Sequence, residues 1–539
     1  MMRSVFLVMT VAAAEPGYVD PAICARCHPG IAASFAKTGM GRSIQPARLT
    51  GSTYYHRISN RHYRVSEREG AWYVRRHQMD AMGNETNVVE ARVDLVIGSG
   101  NHARTPVSLA SSDRLLQLPV SWYAENGGFW AMSPGYDKPD HLGFRREISD
   151  ECLFCHAAYP AAWNQGRPAP IDCQRCHGPG EAHLRKPRQG TIFNPARAPA
   201  HRKSEVCLQC HLETASQGIP NAIRRAGRAV YSYRPGEPLT DYVLHFDHAD
   251  GHEEKFEINH AAYRMRQSRC APLACTTCHD PHTAGPRTTW RAACQGCHSS
   301  SHAARDADCV NCHMPKRRTG DAVHVVMTDH RIGRRPPPGD LLAQKRESHA
   351  PYKGPVAAYY PPTAEPLYLA MAQVREFNHL TDGIAALKAA IARYKPKAYE
   401  FYFQLGEAQR AAGDLRAAES AYREALRRDR ANTRVKAALG DALLRQGRIQ
   451  EAIPILESAN HRMALAVAYG QTGRLSDSLR LLKELVAAEP ESALAWLNLG
   501  VTLEQSGDTA GAAAAYREAI RHQPDSAQAR QHLNSLRSR

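Results

Sequence analysis

Seven times in the first 313 residues, two cysteines three positions apart are followed at once by a histidine. The copies are Cys24-Cys27-His28, Cys152-Cys155-His156, Cys173-Cys176-His177, Cys207-Cys210-His211, Cys275-Cys278-His279, Cys294-Cys297-His298 and Cys309-Cys312-His313. A zinc site needs paired Cys-x-x-Cys units and gives no reason for a histidine directly after each second cysteine. The full string is the attachment signal of c-type haem. Two thioethers reach the two vinyl-derived positions on one porphyrin edge, and the adjacent histidine swings under the ring to the iron. The copies use fourteen of the fifteen cysteines, which implies seven covalent haem c groups. The fifteenth, Cys270, reads as a buried inert thiol, with a redox or ligand role as the alternative.

An iron that shuttles electrons without chemistry needs a sixth ligand, and histidine is the expected donor. In "CTTCHDPH" His282 follows His279 by three residues, too close to curl round to the far face of its own haem, so it is expected to ligate a neighbour. His183 in "CHGPGEAH" reads the same way, His324 and His330 in "HVVMTDH" follow the last motif, and His260 precedes the fifth. His102, His141 and His302 are further candidates. Met40 is a thioether candidate that would raise the first haem's potential.

The elements that must position these groups change along the chain. Between His28 and Cys152 lies a long motif-free gap, with a β-containing segment at about 50–135. There "TYYHRISNRHYRV" and "AWYVRRHQ" are rich in aromatic and β-branched residues, and "VSWYAENGGFWAM" sets aromatic pairs on either side of an Asn-Gly, a hairpin signal. From Cys152 the motifs crowd together, the spacing of a haem row. Residues 336–363 read as a proline-rich linker. Beyond it Gly413, Gly447, Gly473 and Gly507 recur at separations of 34, 26 and 34, the tetratricopeptide period with one shortened repeat, and residues 365–396 resemble a degenerate first repeat. Such a solenoid offers a surface for binding another protein.

The opening "MMRSVFLVMTVAAAEPG" reads as a secretory leader cut after Ala14, which places the chain in the periplasm or otherwise outside the inner membrane. No other segment has 18 uninterrupted apolar residues, so no spanning helix is expected after cleavage. The formal charge of +16 would ordinarily suggest nucleic acid, but fourteen haem propionates would offset most of it, and no nucleic-acid partner is expected.

These residues resemble a known group, the multihaem c-type cytochromes that include pentahaem nitrite reductase, hydroxylamine oxidoreductase and its tetrahaem acceptor cytochrome. The resemblance rests on "CHGPG" followed by His183, on "CTTCHDPH", and on "CVNCHMPK" followed by "HVVMTDH", and covers residues 20–335. It implies that His282 ligates an adjacent haem. The reductase carries lysine in place of histidine at its catalytic haem, whereas all seven motifs here end in histidine, which argues against nitrite reduction.

The expected fold is mainly α. A signal peptide (1–14) precedes a heptahaem cytochrome c domain (15–335) with a small β-containing insertion, and a tetratricopeptide α-solenoid (364–539) follows the linker. The expected function is electron transfer along the haems between redox partner proteins, with the repeats docking one partner. The alternative is a multihaem oxidoreductase acting on a small nitrogen or sulfur oxyanion at a haem with an open axial site.

Overall fold

The computed structural model describes residues 17–110, 114–163, 166–215, 219–250, 254–271, 273–284, 287–298, 309–348, 350 and 352–537. The leader (1–14) and His302 lie outside the described residues. Helix makes up 43% of the chain and strand 16%, and eleven of the sixteen strands fall between residues 44 and 147. The gap after the first motif is therefore a β unit in its own right, larger than the small insertion expected over 50–135.

The β unit has two sheets. Ser52–His56, Arg61–Arg68, Ala71–Met79 and Glu85–Val93 form an antiparallel meander. In it Tyr63, Val65 and Val74 alternate inward, the period-2 pattern of a half-buried strand. A seven-stranded sheet runs from Ile44–Pro46 through Leu95–Ile97 and Ala103–Leu109 to Leu115–Gln117 and Arg146–Glu147, with Val120–Tyr123 and Phe129–Met132 attached. Those last two strands are the hairpin the Asn-Gly announces: Trp122 faces Trp130, Tyr123 faces Phe129, and Asn126 takes the left-handed φ of 54° that such turns need.

From residue 150 to 313 regular structure is sparse. The motif-bearing helices include Asp150–His156, Gln174–His177 and Cys309–His313, only four to seven residues long. Their apolar neighbours are mostly aromatic: Phe154, Tyr159, Tyr231, Tyr233 and Tyr242 form one cluster around the second and fourth motifs.

The proline-rich segment is not a free tether. Val356–Tyr360 pairs antiparallel with Val243–His248, which ties residues 336–363 into the motif region. The repeats follow as stacked helix pairs from Pro366–Arg375 and Leu380–Tyr394 to Ala493–Gln505 and Thr509–His522, capped by Ala527–Arg537. In the shortened repeat the second helix, Ile449–Ala459, has 11 residues where its counterpart Leu415–Arg428 has 14. Close approach explains the small residues: a Cβ on Gly406 or Gly500 would stand 2.5 Å from the ring of Tyr422 or Tyr516. The solenoid touches the rest of the chain at both ends. At its start Tyr368 accepts a hydrogen bond from the Ala226 amide (3.0 Å), and at its end Asp525 pairs with Arg61 of the β unit (2.8 Å).

Candidate haem-binding sites

Each attachment string closes a single helical turn. The amides of His28, His177, His279 and His298 donate to the carbonyls of Cys24, Cys173, Cys275 and Cys294, at 2.9 to 3.0 Å. An i to i+4 bond of this kind stacks the first cysteine, the second and the histidine on one side of the turn. None of the fifteen cysteines is in a disulfide, and among the described residues no three His, Cys, Asp or Glu side chains converge as a metal cage.

Two of the motif histidines face a histidine from another segment. The rings of His177 and His282 stand 6.1 Å apart, centroid to centroid, and 16° from parallel. The rings of His279 and His330 stand 6.1 Å apart and 22° from parallel. A metal held between two imidazole nitrogens at about 2 Å each would separate the ring centroids by about 6 Å. Both gaps therefore have room for one iron between two axial ligands.

His177 and His330 of these pairs, and three other candidate histidines, are held at Nδ1. Nδ1 of His177 donates to the Phe193 carbonyl (3.0 Å), that of His313 to the Gly333 carbonyl (2.7 Å) and that of His330 to the Thr328 carbonyl (3.1 Å). Nδ1 of His211 reaches Oδ1 of Asn259 (3.3 Å), and that of His183 pairs with the Thr191 hydroxyl (2.9 Å). A hydrogen bond from Nδ1 to oxygen fixes the tautomer whose Nε2 lone pair is available to a metal, and it orients the ring. Burial also favours the neutral, ligating form: it pushes His177 and His330 down, and His279 to about 4 with help from His330 and His211.

The other candidates sit in different surroundings. His260 is fully buried (0% exposed), neither ring nitrogen has a hydrogen-bond partner, and the Glu257 carboxylate stands 3.6 Å away. His324 packs between the rings of Tyr123 (5.1 Å) and Phe129 (5.8 Å), so the segment after the seventh motif leans on the aromatic hairpin of the β unit. His102 lies beside Val326 in the same seam. Met40 occupies a half-buried turn after the first motif. His141 is placed otherwise than expected: one ring nitrogen meets Arg61 at 2.8 Å and Tyr63 at 3.1 Å, and the other accepts the Gly143 amide at 3.1 Å. Both nitrogens thus have partners inside the β unit. Cys270 is half-buried beside Cys278.

One buried histidine escaped the sequence reading. His245, in Val243–His248, is 4% exposed, its Nδ1 has no partner, and burial next to Arg266 pushes it to about 4. Its strand is buried on both faces, so no alternation singles it out.

The motifs are neighbours in space out of chain order. Thiol contacts join Cys24 to Cys173, Cys155 to Cys210 and Cys207 to Cys275, linking the first motif to the third, the second to the fourth and the fourth to the fifth. Trp290, just before the sixth motif, packs edge-on against His279 (4.4 Å). Around the second to fourth motifs several buried polar atoms lack partners: Nη1 of Arg175, Oε1 of Gln209 and the hydroxyls of Tyr231 and Tyr233. Arg175 and Gln209 lie inside attachment strings. The guanidinium and hydroxyl donors among them, Arg175, Tyr231 and Tyr233, cost free energy when buried without acceptors, and haem carboxylates would fit them; the Gln209 oxygen is an acceptor and needs a donor instead.

Comparison with known proteins bears on the C-terminal part. The tetratricopeptide repeat family model matches residues 375–432, 403–460 and 463–527. No curated protein matches the chain. Similar solved structures include YrrB, a TPR protein with an unusual peptide-binding site (22% identity, 31% of this chain, 88% of that one, TM-score 0.28). MamA (22%, 26% and 81%, 0.24) and MamA 41-end from Desulfovibrio magneticus RS-1 (18%, 30% and 98%, 0.28) are others. The C-terminal region of this chain is a helical tetratricopeptide-repeat solenoid, joined to a mixed α/β N-terminal region.

Proposed function

We propose that the N-terminal region carries seven covalently attached c-type haems and that the protein passes single electrons between redox partners, one of them docked by the repeats. The observation that carries this reading is the pair of facing histidines, His177 with His282 and His279 with His330. Each pair joins a motif histidine to one from elsewhere across a gap of iron size. When bound, haem supplies one-electron redox chemistry. The chain's part is to hold and orient it. The fourteen motif cysteines provide the thioether links, and His28, His156, His177, His211, His279, His298 and His313 provide the proximal ligands.

With haem bound at these sites, His282 and His330 would hold it from the side opposite the motif histidines and keep substrate out. His183, His260 and His324 serve other irons in this reading, and His260 in particular has both nitrogens to offer. The thiol contacts between motifs put attachment turns side by side out of chain order, as short electron steps require. Export fits this reading, because c-type attachment in bacteria takes place outside the inner membrane; among the described residues no helix is long and apolar enough to cross one.

The test is expression of the full chain in a host with a c-type maturation system. Mass spectrometry should show the polypeptide plus seven haems after leader removal, with a pyridine haemochrome of seven per chain and a low-spin reduced spectrum. Protein without a Soret band would end the haem reading. Attached haems that are mostly high-spin and bind carbon monoxide would replace electron transfer with catalysis at an open axial site.

A further inference from the structure

The second helices of the repeat pairs carry a groove dominated by arginine. Arg416, Ser420, Arg423 and Arg427 recur at steps of three and four residues on one face of Leu415–Arg428, and the turn before Ile449–Ala459 supplies Gln446 and Arg448. The groove holds about 620 Å³, and Glu419, 5% exposed, is the one carboxylate in its lining. It lies on the outer side of the solenoid. First helices of successive pairs, such as Tyr399–Ala411 and Thr433–Arg445, approach each other more closely than the second helices do, so the second helices splay outward. The concave surface on which solenoids of this kind commonly bind is on the opposite side.

Ion pairs in and beside the groove do not cancel its charge. Glu419 is shared: it accepts from Gln446 (3.0 Å) and Arg448 (2.7 Å) and pairs with Arg423, which donates to it through Nη1 alone. Glu424 is shared by Arg427 and Arg428, and Glu451 pairs with Arg448 (2.6 Å). Five guanidinium groups thus meet three carboxylates. Asp414 spends one oxygen on the Ala417 amide as the helix cap (2.9 Å), and counting it still leaves positive charge in excess. Among the described residues no carboxylate pairs with Arg416, which is exposed, as are Arg423 and Arg427.

We infer that this outer groove docks an extended acidic segment of a partner protein, whose glutamate and aspartate side chains are received by Arg416, Arg423 and Arg427. Guanidinium forks match carboxylates edge to edge. From Arg416 to Arg427 the helix advances about 16 Å, at about 1.5 Å per residue. An extended segment of about five residues covers that length. One exposed ion pair contributes little, so the segment needs several carboxylates in a row, and salt screens the attraction. No aromatic side chain lines the groove, as a nucleic-acid strand would use for stacking its bases. The groove deepens the docking role proposed for the repeats, giving it a place and a partner chemistry, and it does not depend on haem.

The test is fluorescence anisotropy of a labelled hexaglutamate peptide titrated with the full-length chain, beside a hexaglutamine peptide. Saturable binding of the acidic peptide alone is expected, several-fold weaker when ionic strength rises from about 0.01 M to about 0.1 M. Arg416→Glu should weaken it several-fold. That side chain is exposed, and a carboxylate in the first turn suits the helix dipole, so the fold is kept. Arg416→Glu combined with Arg427→Glu should weaken it about tenfold or more. Arg480→Glu, an exposed arginine on the second helix Leu475–Ala488, should leave it unchanged. Failure of the native chain to bind hexaglutamate saturably would overturn the assignment, as would equal binding of hexaglutamine or undiminished binding in the double variant. Tighter binding of an oligothymidylate would assign the groove to a nucleic-acid backbone and equally overturn it. The haem content of the same preparation reports on electron transfer separately, because the anisotropy readout does not involve haem.

Discussion

The repeat region and the motif region are built on opposite principles. From Pro366 onward, helices of 10 to 15 residues interlock through one continuous apolar core that includes Leu387, Tyr422, Leu439 and Leu456. There the described residues leave only Asn378 and Gln409 with a buried polar atom unpaired. Around the attachment motifs most helices are short, although Ala200–His211 runs to 12 residues, the core is aromatic and broken into patches, and Tyr18, Arg175, Gln209, Tyr231, Tyr233, His245 and His260 all carry unpaired buried atoms. The described repeats leave few buried polar atoms unpaired, whereas the described motif region leaves more.

The largest expected consequence is a split in foldability. Chain made without c-type maturation should lose residues 17–335 to limited proteolysis while a helical fragment beginning near residue 364 survives. Equal resistance of the two parts would break the contrast. Next in size, Gly500→Val drives a side chain into the Tyr516 ring and should destabilise the repeats by about 2 kcal/mol, read as a lower melting temperature by circular dichroism. The haem spectrum should not change. A spectral change would mean that the two regions are mechanically coupled through more than their seams.

A smaller effect belongs to the seam itself. Burial, Arg521 and Arg76 push His522 down to about 3, against about 6.5 in an unfolded chain. A depressed histidine contributes stability that is complete above the unfolded value and is lost as pH falls from 6.5 towards 3. The repeat melting temperature should therefore drop through that window, and His522→Leu should flatten the drop. A profile identical in the variant would remove His522 as its cause.

The same contrast decided what could be read in the sequence. The repeats were legible because their glycines, alanines and tyrosines recur with the helix-pair period. The extent of the β unit was not, because strands such as Ile44–Pro46 and Leu95–Ile97 are three residues long and find each other across fifty positions. The candidate attachment residues stand out by their spacing alone. His282 was singled out by its nearness to His279, but that His279 itself faces His330 is a contact over fifty residues that no local pattern encodes. His141 is the converse case: nothing in the sequence shows that Arg61, Tyr63 and the Gly143 amide contact it.

The most direct test of the central claim is electron paramagnetic resonance of His282→Ala, compared with the native full-length protein. If His282 and His177 share an iron, one haem of seven turns high-spin and binds one equivalent of carbon monoxide while the other six keep their signals. A spectrum indistinguishable from the native one would show that the 6.1 Å gap between those rings holds no iron.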